Sequence, residues 1–346
     1  MYVIAFFISR AYIYLAATQR SFAMISKFSK VFMVVMLVLL ASLPVFCSPA
    51  AEVRLGVLKG PTGIGASYLL SKNDEGSTFN KYSVTVLAEA TDMIAQVAAG
   101  QLDIAALPTN AAASLYNKTS GGVRLAALNT AGVLYILENG DTVKSVSDLK
   151  GRTIYAVGQG SNPEYVLRYI LSGNGIDPDK DVEIVFLDSA ELTTKAATGS
   201  IDICMLPVPA VTTVLIKNPG MHIALDMTDE WDKLGTGSIL TMGCVVVRTE
   251  FLKEHPTEVK MFLSEYETSI NFMKANSDLA AELCAKYEIV PSAAVARKAI
   301  PDCNLIFVEG DQIKESLEGY LKVLYEANPK AIGGKMPGDD FYSLEI

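Results

Sequence analysis

The chain has 346 residues, of which 50% are hydrophobic and 19% charged, and its formal net charge is −9. That length allows about two domains, and so much apolar sequence fills a large core and excludes a disordered chain. The negative balance excludes a nucleic-acid binder, because holding a phosphate backbone takes a concentration of Lys and Arg that is missing here.

Residues 1–50 read as a segment apart. Lys27 and Lys30 precede an apolar run from Val31 to Leu40, and small residues follow. A basic start, an apolar stretch and a small-residue end make a secretory signal peptide, with Met24 at the usual distance for its beginning. The run is shorter than the ~20 apolar residues a membrane span needs. Cys47 allows two routes of processing. The favoured one attaches lipid to Cys47, as in bacterial lipoproteins, although Phe46 stands where a small residue is usual. The other cleaves after Ala50, with Ser48 at the small-residue position. Both put the mature chain outside the cytoplasmic membrane, and the first adds a membrane anchor.

From Val53 the chain alternates strand and helix. Val53–Leu58 is a short apolar strand, broken by Gly60-Pro61-Thr62-Gly63; a helix over Ile64–Ser71 follows, then a strand over Tyr82–Leu87. Thr91 is placed to cap a helix carrying Ile94, Val97 and Ala98 at helical spacing. Leu102–Leu107 is a strand, Thr109–Lys118 a helix and Val123–Leu128 a strand.

The pattern then repeats at an offset of 99 residues. Ala98 to Ala111 returns as Ala197 to Ala210 with seven of fourteen positions identical, and Leu55–Gly60 and Thr85–Glu89 lie 99 before Ile154–Gln159 and Ile184–Asp188. The second copy predicts strands at Thr153–Val157, Val182–Leu187 and Ile201–Met205, and helices at Pro163–Ser172, Leu192–Thr198 and Pro209–Lys217. Two repeats of this length are two lobes rather than a solenoid, whose periods are shorter. Alternating strands and helices imply parallel sheets covered on both faces.

Two extended runs, Ala131–Leu137 and Ile239–Val247, read as crossings between lobes, with Gly132 and Gly243 as pivots. Lobe 1 is then 52–132 plus 242–346 and lobe 2 is 133–241. The C-terminal helices, with Val259, Phe262, Leu263, Tyr266, Ile270 and Met273 on one face and Ile313, Leu317, Tyr320, Leu321 and Leu324 on another, should pack on lobe 1.

Ligands of such lobes bind between them, where strand ends meet helix N-termini with unpaired N–H groups. Four edges fit: Gly60-Pro61-Thr62-Gly63 and Thr109-Asn110 in lobe 1, and Gln159-Gly160-Ser161-Asn162 and Pro207-Val208 in lobe 2. Val208 precedes its helix without a capping side chain, leaving amides for a ligand. Thr109 and Asn162 serve equally as caps of their own helices, but their symmetric placement favours ligand contact. Trp231 is either an aromatic wall of the cleft or the anchor of a surface helix. Asp103 and Asp202 read as strand-entry turn residues.

Other chemistries find no support. Gly60–Gly65 lacks both the dinucleotide-binding and the P-loop order. Ser67 and Ser161 have no histidine partner, so no nucleophilic triad is formed. The cysteines have no metal-ligand spacing and only His222 and His255 to help them. Neither metal nor cofactor is expected. Cys204 and Cys244 read as buried thiols, and Cys284 and Cys303 as a candidate pair whose bonding the sequence does not decide.

Gly60–Gly63, Gly100-x-Leu102-Asp103-Ile104-Ala105, Pro108-Thr109-Asn110, Asp148–Ile154 and Glu250-Phe251-Leu252-x-x-His255-Pro256 together resemble the solute-binding proteins of bacterial ABC importers. The likeness is to the nitrate, taurine, alkanesulfonate and thiamine-pyrimidine group and covers about residues 52–346. It implies a monomeric, non-enzymatic bilobal trap for a small polar solute containing nitrogen or sulfur, a pyrimidine or sulfonate among the options. Its partners would be an ABC permease and that permease's ATPase. Two alternatives share the scaffold: an enzyme of the thiamine-pyrimidine or menaquinone type, and a ligand-sensing surface lipoprotein. The cysteine-rich motif and histidine cluster of the pyrimidine synthase are missing from this sequence.

Overall fold

The protein is seen here as a computed structural model that describes residues 52–345. The expected signal peptide and Cys47 lie outside the described residues. In the first lobe, short apolar runs ended by Gly- or Pro-containing turns form β1 (Glu52–Leu58), β2 (Lys81–Leu87), β3 (Ile104–Pro108) and β4 (Val123–Ala131). Between them run α1 (Pro61–Ile64), α2 (Ser67–Asp74), α3 (Ala90–Ala98) and α4 (Thr109–Lys118). The second lobe contains β5 (Leu134–Asn139), β6 (Thr153–Ala156), β7 (Glu183–Phe186), β8 (Ile203–Pro207) and β9 (Met221–Asp226). Its helices are α5 (Asn162–Gly173), α6 (Ser189–Ala197), α7 (Ala210–Lys217) and α8 (Met227–Lys233). β10 (Thr241–Arg248) returns to the first lobe, followed by α9 (Thr249–Glu254), α10 (Pro256–Ala275), α11 (Ser277–Lys286), α12 (Ala293–Ala299), β11 (Leu305–Val308) and α13 (Gln312–Ala327).

The repeat is structural as well as textual. α3 and α6 start and end 99 residues apart, as do β3 and β8. The sheets run β2-β1-β3-β10-β4-β11 and β7-β6-β8-β5-β9, so their first five positions correspond. Neither sheet is wholly parallel, however. β1 pairs in parallel with β2 and β3, and β6 with β7 and β8. β10 is antiparallel to β3 and β4, and β5 to β8 and β9. Each strand that crosses from the other lobe enters from the opposite direction and fills the gap between two parallel neighbours. The same strand thus completes one sheet and ties it to the other lobe.

The first crossing is the two-residue step from Ala131 to Leu134, and the second runs from Asp226 through α8 to Thr241. Gly132 lies in the first, but a Cβ there would meet Thr228 Oγ1 at 2.2 Å and Leu240 Cδ2 at 2.9 Å. Gly243 sits inside β10, where a Cβ would meet Asn129 Oδ1 at 2.6 Å. Close approach explains both glycines, so the expectation that they act as pivots is replaced by tight packing across the crossings.

α10 buries the face expected of it and packs on α2 and the first sheet. Ser269 on α10 donates to the Gly65 carbonyl at 2.6 Å and accepts from the Leu69 amide at 2.9 Å, fixing helix against helix. The C-terminal helices do not stay on lobe 1: α13 touches α5 and α12 touches α7. Trp231 is fully buried, so it is no cleft wall; it is the anchor of a surface helix, since Asp229, Asp232 and Lys233 of α8 are exposed. It packs against Tyr169 of α5 with centroids 4.9 Å apart and Tyr320 of α13 at 5.8 Å, and donates Nε1–H to the Ser238 carbonyl at 3.0 Å.

Thr91 does not cap α3; that helix begins at Ala90, after Glu89, without a side-chain cap. Asp103 does more than turn the chain into β3. Its buried carboxylate takes the Arg54 amide at 3.0 Å, Arg54 Nε at 2.8 Å and Arg248 Nη2 at 3.2 Å, pinning β1, β3 and β10 at the end of the sheet away from the strands' carboxyl edge. Burial pushes the Asp103 carboxyl up, and these hydrogen bonds more than offset that, leaving it below the usual carboxylate range. Asp202 is exposed. Cys204, Cys244, Cys284 and Cys303 are free, buried thiols, and burial raises Cys204 to about 12 and Cys284 to about 11.

Candidate functional site

The four expected edges lie at the carboxyl ends of β1, β3, β6 and β8. They do not contribute equally.

The first edge is a backbone turn. Gly60, at φ +89°, donates its amide to the Ile289 carbonyl at 2.8 Å and accepts from Gly63 at 3.0 Å. Pro61 opens α1. The Thr62 carbonyl accepts from Asn129 Nδ2 at 3.1 Å. Gly63 is required by space, since a Cβ there would sit 1.9 Å from the Leu58 carbonyl oxygen. Most polar groups of this turn are therefore satisfied internally.

The second and third edges meet. α4 begins at Thr109 and α5 at Asn162, and neither helix has a side-chain cap, so capping does not explain these residues. Asn162 Nδ2 donates to Asn110 Oδ1 at 2.9 Å, joining the lobes directly. Asn110 Nδ2 in turn donates to the Ala331 carbonyl at 3.5 Å. Thr109 Oγ1 and Asn162 Oδ1 are buried and lack a hydrogen bond within ordinary geometry; the Cys244 thiol is the neighbour facing the Thr109 hydroxyl. Unpaired buried polar atoms are costly, of order 1–3 kcal/mol each. The Thr109 hydroxyl faces into the first lobe, whereas Asn162 Oδ1 lies where the lobes touch, beside the bond to Asn110.

The rest of the third edge is self-contained. Ser161 Oγ donates to the Gly158 carbonyl at 2.6 Å, the Gly160 amide donates to Glu164 Oε2 at 2.6 Å, and Tyr165 OH donates to the Gly160 carbonyl at 2.9 Å. Gln159 is exposed. At the fourth edge the Val208 amide is not left for a ligand. It donates to the Val133 carbonyl at 3.0 Å, extending the pairing of β5 with β8, and α7 starts only at Ala210. Pro207 lines a cavity of about 570 Å³ between the lobes, with Asp188, Ser189 and Pro209 on one side and Pro291 and Val295 on the other.

Several contributors have no sequence signal. Asn328 Nδ2 donates to Tyr165 OH at 2.8 Å, and Tyr135 OH donates to the Asp302 carbonyl at 3.0 Å, two further links between lobes. Asp302, Asn328, Pro291 and Val295 lie in the C-terminal region, which has no counterpart in the repeat. Asp226 ends β9 opposite Tyr135 and accepts the Thr228 amide at 2.8 Å. Burial, then the charge of Asp229, raises the Asp226 carboxyl; burial, then the charge of Asp226, raises that of Asp302.

Two similar lobes, two crossings and helix starts converging between them define the periplasmic-binding-protein fold. The chain belongs to the family described as NMT1/THI5 like, which matches residues 83–280. An ABC transporter structure from Parabacteroides distasonis superposes with a TM-score of 0.72 at 22% identity, covering 85% of this chain and 99% of that one. The periplasmic aliphatic sulphonate binding protein of Escherichia coli gives 0.66 at 16% identity, over 85% and 96% of the two chains. The periplasmic nitrate-binding protein of Synechocystis gives 0.51 at 13% identity, over 74% and 69%. Among curated sequences, candidate binding proteins of Brucella abortus and Brucella suis are 27% identical over 202 residues, 58% of this chain. The match spans 60% of the length of those relatives.

Proposed function

We propose that the protein is the exported solute-binding component of an ABC importer. Lobe 1 (52–132 plus 242–346) and lobe 2 (133–241) close on a small polar solute and present it to a permease driven by a cytoplasmic ATPase. The observation that carries this reading is the meeting of Asn110 and Asn162 between the lobes, beside the buried Asn162 Oδ1 that has no hydrogen-bond partner. The structural neighbours named for sulphonate and nitrate binding support it. A ligand touching both lobes stabilises the closed arrangement by its differential affinity for that state. Of the expected contacts, Asn110 and Asn162 are the strongest, Thr109 stands beside them in sequence, Pro207 lines a cavity between the lobes, and Gly60–Gly63 with Gln159–Ser161 supply the remaining turns. Signal cleavage with lipid attachment at Cys47, and a monomeric state, complete the proposal.

An enzyme on this scaffold is the competing reading, and one experiment separates the two. Purified protein is incubated with the small-molecule fraction of spent culture medium, freed of unbound material by gel filtration and denatured gently. Mass spectrometry should find one retained solute, chemically unchanged, at about one per chain. Retention of nothing, or release of a converted product, would overturn the proposal.

A further inference from the structure

The direction of one hydrogen-bond relay limits what the cleft can hold. Asn110 Nδ2 donates to the Ala331 carbonyl at 3.5 Å, and a carbonyl only accepts. This turns Asn110 Oδ1 towards lobe 2, where it accepts from Asn162 Nδ2 at 2.9 Å. The Asn162 amide is thereby fixed with its own Oδ1 left over, in a residue 5% exposed, with no donor to pair it. An amide oxygen is an acceptor only. Whatever completes this position must bring an N–H or O–H.

The helix starts around it ask for the opposite. α4, α5 and α7 begin without a side-chain cap, so their first N–H groups seek an acceptor. Charge does not favour an anion. Among the described residues the four edges contain no Arg or Lys, and Lys59 beside the first of them pairs with Glu288 at 3.3 Å. Asp188 lines the cavity beside Pro207, and Asp226 and Asp302, near enough to feel each other's charge, add negative rather than positive groups.

Resting on the solute-trap reading above, we propose that this cleft takes a small uncharged molecule carrying an N–H donor beside a carbonyl-type acceptor, and rejects acceptor-only anions. Nitrate and the alkanesulfonates offer acceptors to the helix starts but leave Asn162 Oδ1 facing another oxygen. A lactam, imide or carboxamide satisfies both demands with one small frame.

The test is a thermal-shift and native mass spectrometry panel on the wild-type chain. The neutral probes are 2-pyrrolidone, succinimide, uracil and nicotinamide; the anions are nitrate, methanesulfonate and butanesulfonate. At least one neutral probe should bind saturably, and none of the anions. Asn162→Ala should weaken the neutral probe about tenfold, the effect of one lost hydrogen bond to a buried partner. Thr109→Val, which keeps the shape and loses the hydroxyl, provides a second variant should Asn162→Ala fold poorly. Saturable binding of an anion, or no binding by any neutral probe, overturns the proposal. If the retention experiment yields one unchanged solute that is a nitrate or a sulfonate without N–H, the trap stands and the ligand class falls.

Discussion

Trp231 is the only tryptophan of the chain and reports on the contact between lobes from its centre. It is fully buried between Tyr169 of lobe 2 and Tyr320 of lobe 1. Truncating a buried Trp to Ala removes its apolar burial and leaves a cavity, a loss of about 3–5 kcal/mol. The two ring contacts belong to that figure, since paired aromatics add about 0.5–1.5 kcal/mol each. Trp231→Phe should cost less. It keeps most of the ring, and the Ser238 carbonyl it abandons still accepts from Thr236 Oγ1 at 3.2 Å, so a loss of about 1 kcal/mol is expected. Urea unfolding followed by circular dichroism gives both values, and wild-type Trp emission in buffer should be that of an indole shielded from water. A loss below about 1 kcal/mol for Trp231→Ala would mean that the ring does not fill a packed core site, since such truncations cost about 3–5 kcal/mol.

Three further outcomes follow from the same geometry. A double-mutant cycle of Asn110→Ala and Asn162→Ala should show a coupling of about 0.5–1.5 kcal/mol in urea unfolding, and additivity would remove the interlobe bond. Asp103→Ala should cost about 2–3 kcal/mol, less than a wholly buried pair because Arg54 is 41% exposed, yet leave retention of solute unchanged. Since the folded Asp103 carboxyl lies below its ordinary 3.8, its contribution is present above that value and fades as pH falls through the folded one. Asp226 and Asp302 behave oppositely. Their folded values are raised, so the penalty of their charge is present at neutral pH and relieved on acidification through the raised values, and Asp302→Asn should flatten that part of a stability–pH curve.

Much of the fold was legible because the repeat supplies two independent readings of each element. Helix α4 falls at Thr109–Lys118 as expected, and the first crossing falls in the extended run at Ala131–Leu137; the second passes through α8 before the run at Ile239–Val247, which becomes β10. Strand direction was not legible. Nothing in Leu134–Asn139 or Thr241–Arg248 tells a parallel from an antiparallel partner, and only the three-dimensional return of the chain decides it. For the site, turn chemistry put Asn110 and Asn162 at helix starts, and these two side chains meet across the lobes. It overrated Val208, Gly160 and Ser161, whose polar groups find partners inside their own lobe. That distinction depends on Val133, Glu164 and Gly158 being in reach, a matter of distance rather than spacing. Trp231 was legible as the anchor of a surface helix, since Asp229 and Asp232 beside it are exposed, but its contact with Tyr320 of the other lobe was not.

Solute is expected to join the two half-sites and close the lobes. Spin labels at Lys118→Cys and Lys217→Cys, exposed ends of the equivalent helices α4 and α7, measure this directly by pulsed electron resonance, since the four native thiols of the described residues are buried. Adding the small-molecule fraction that yields a retained solute should shorten and narrow the distance between labels, and Asn162→Ala should reduce the shift at equal concentration. An unchanged distance at full retention of solute would contradict closure of the lobes.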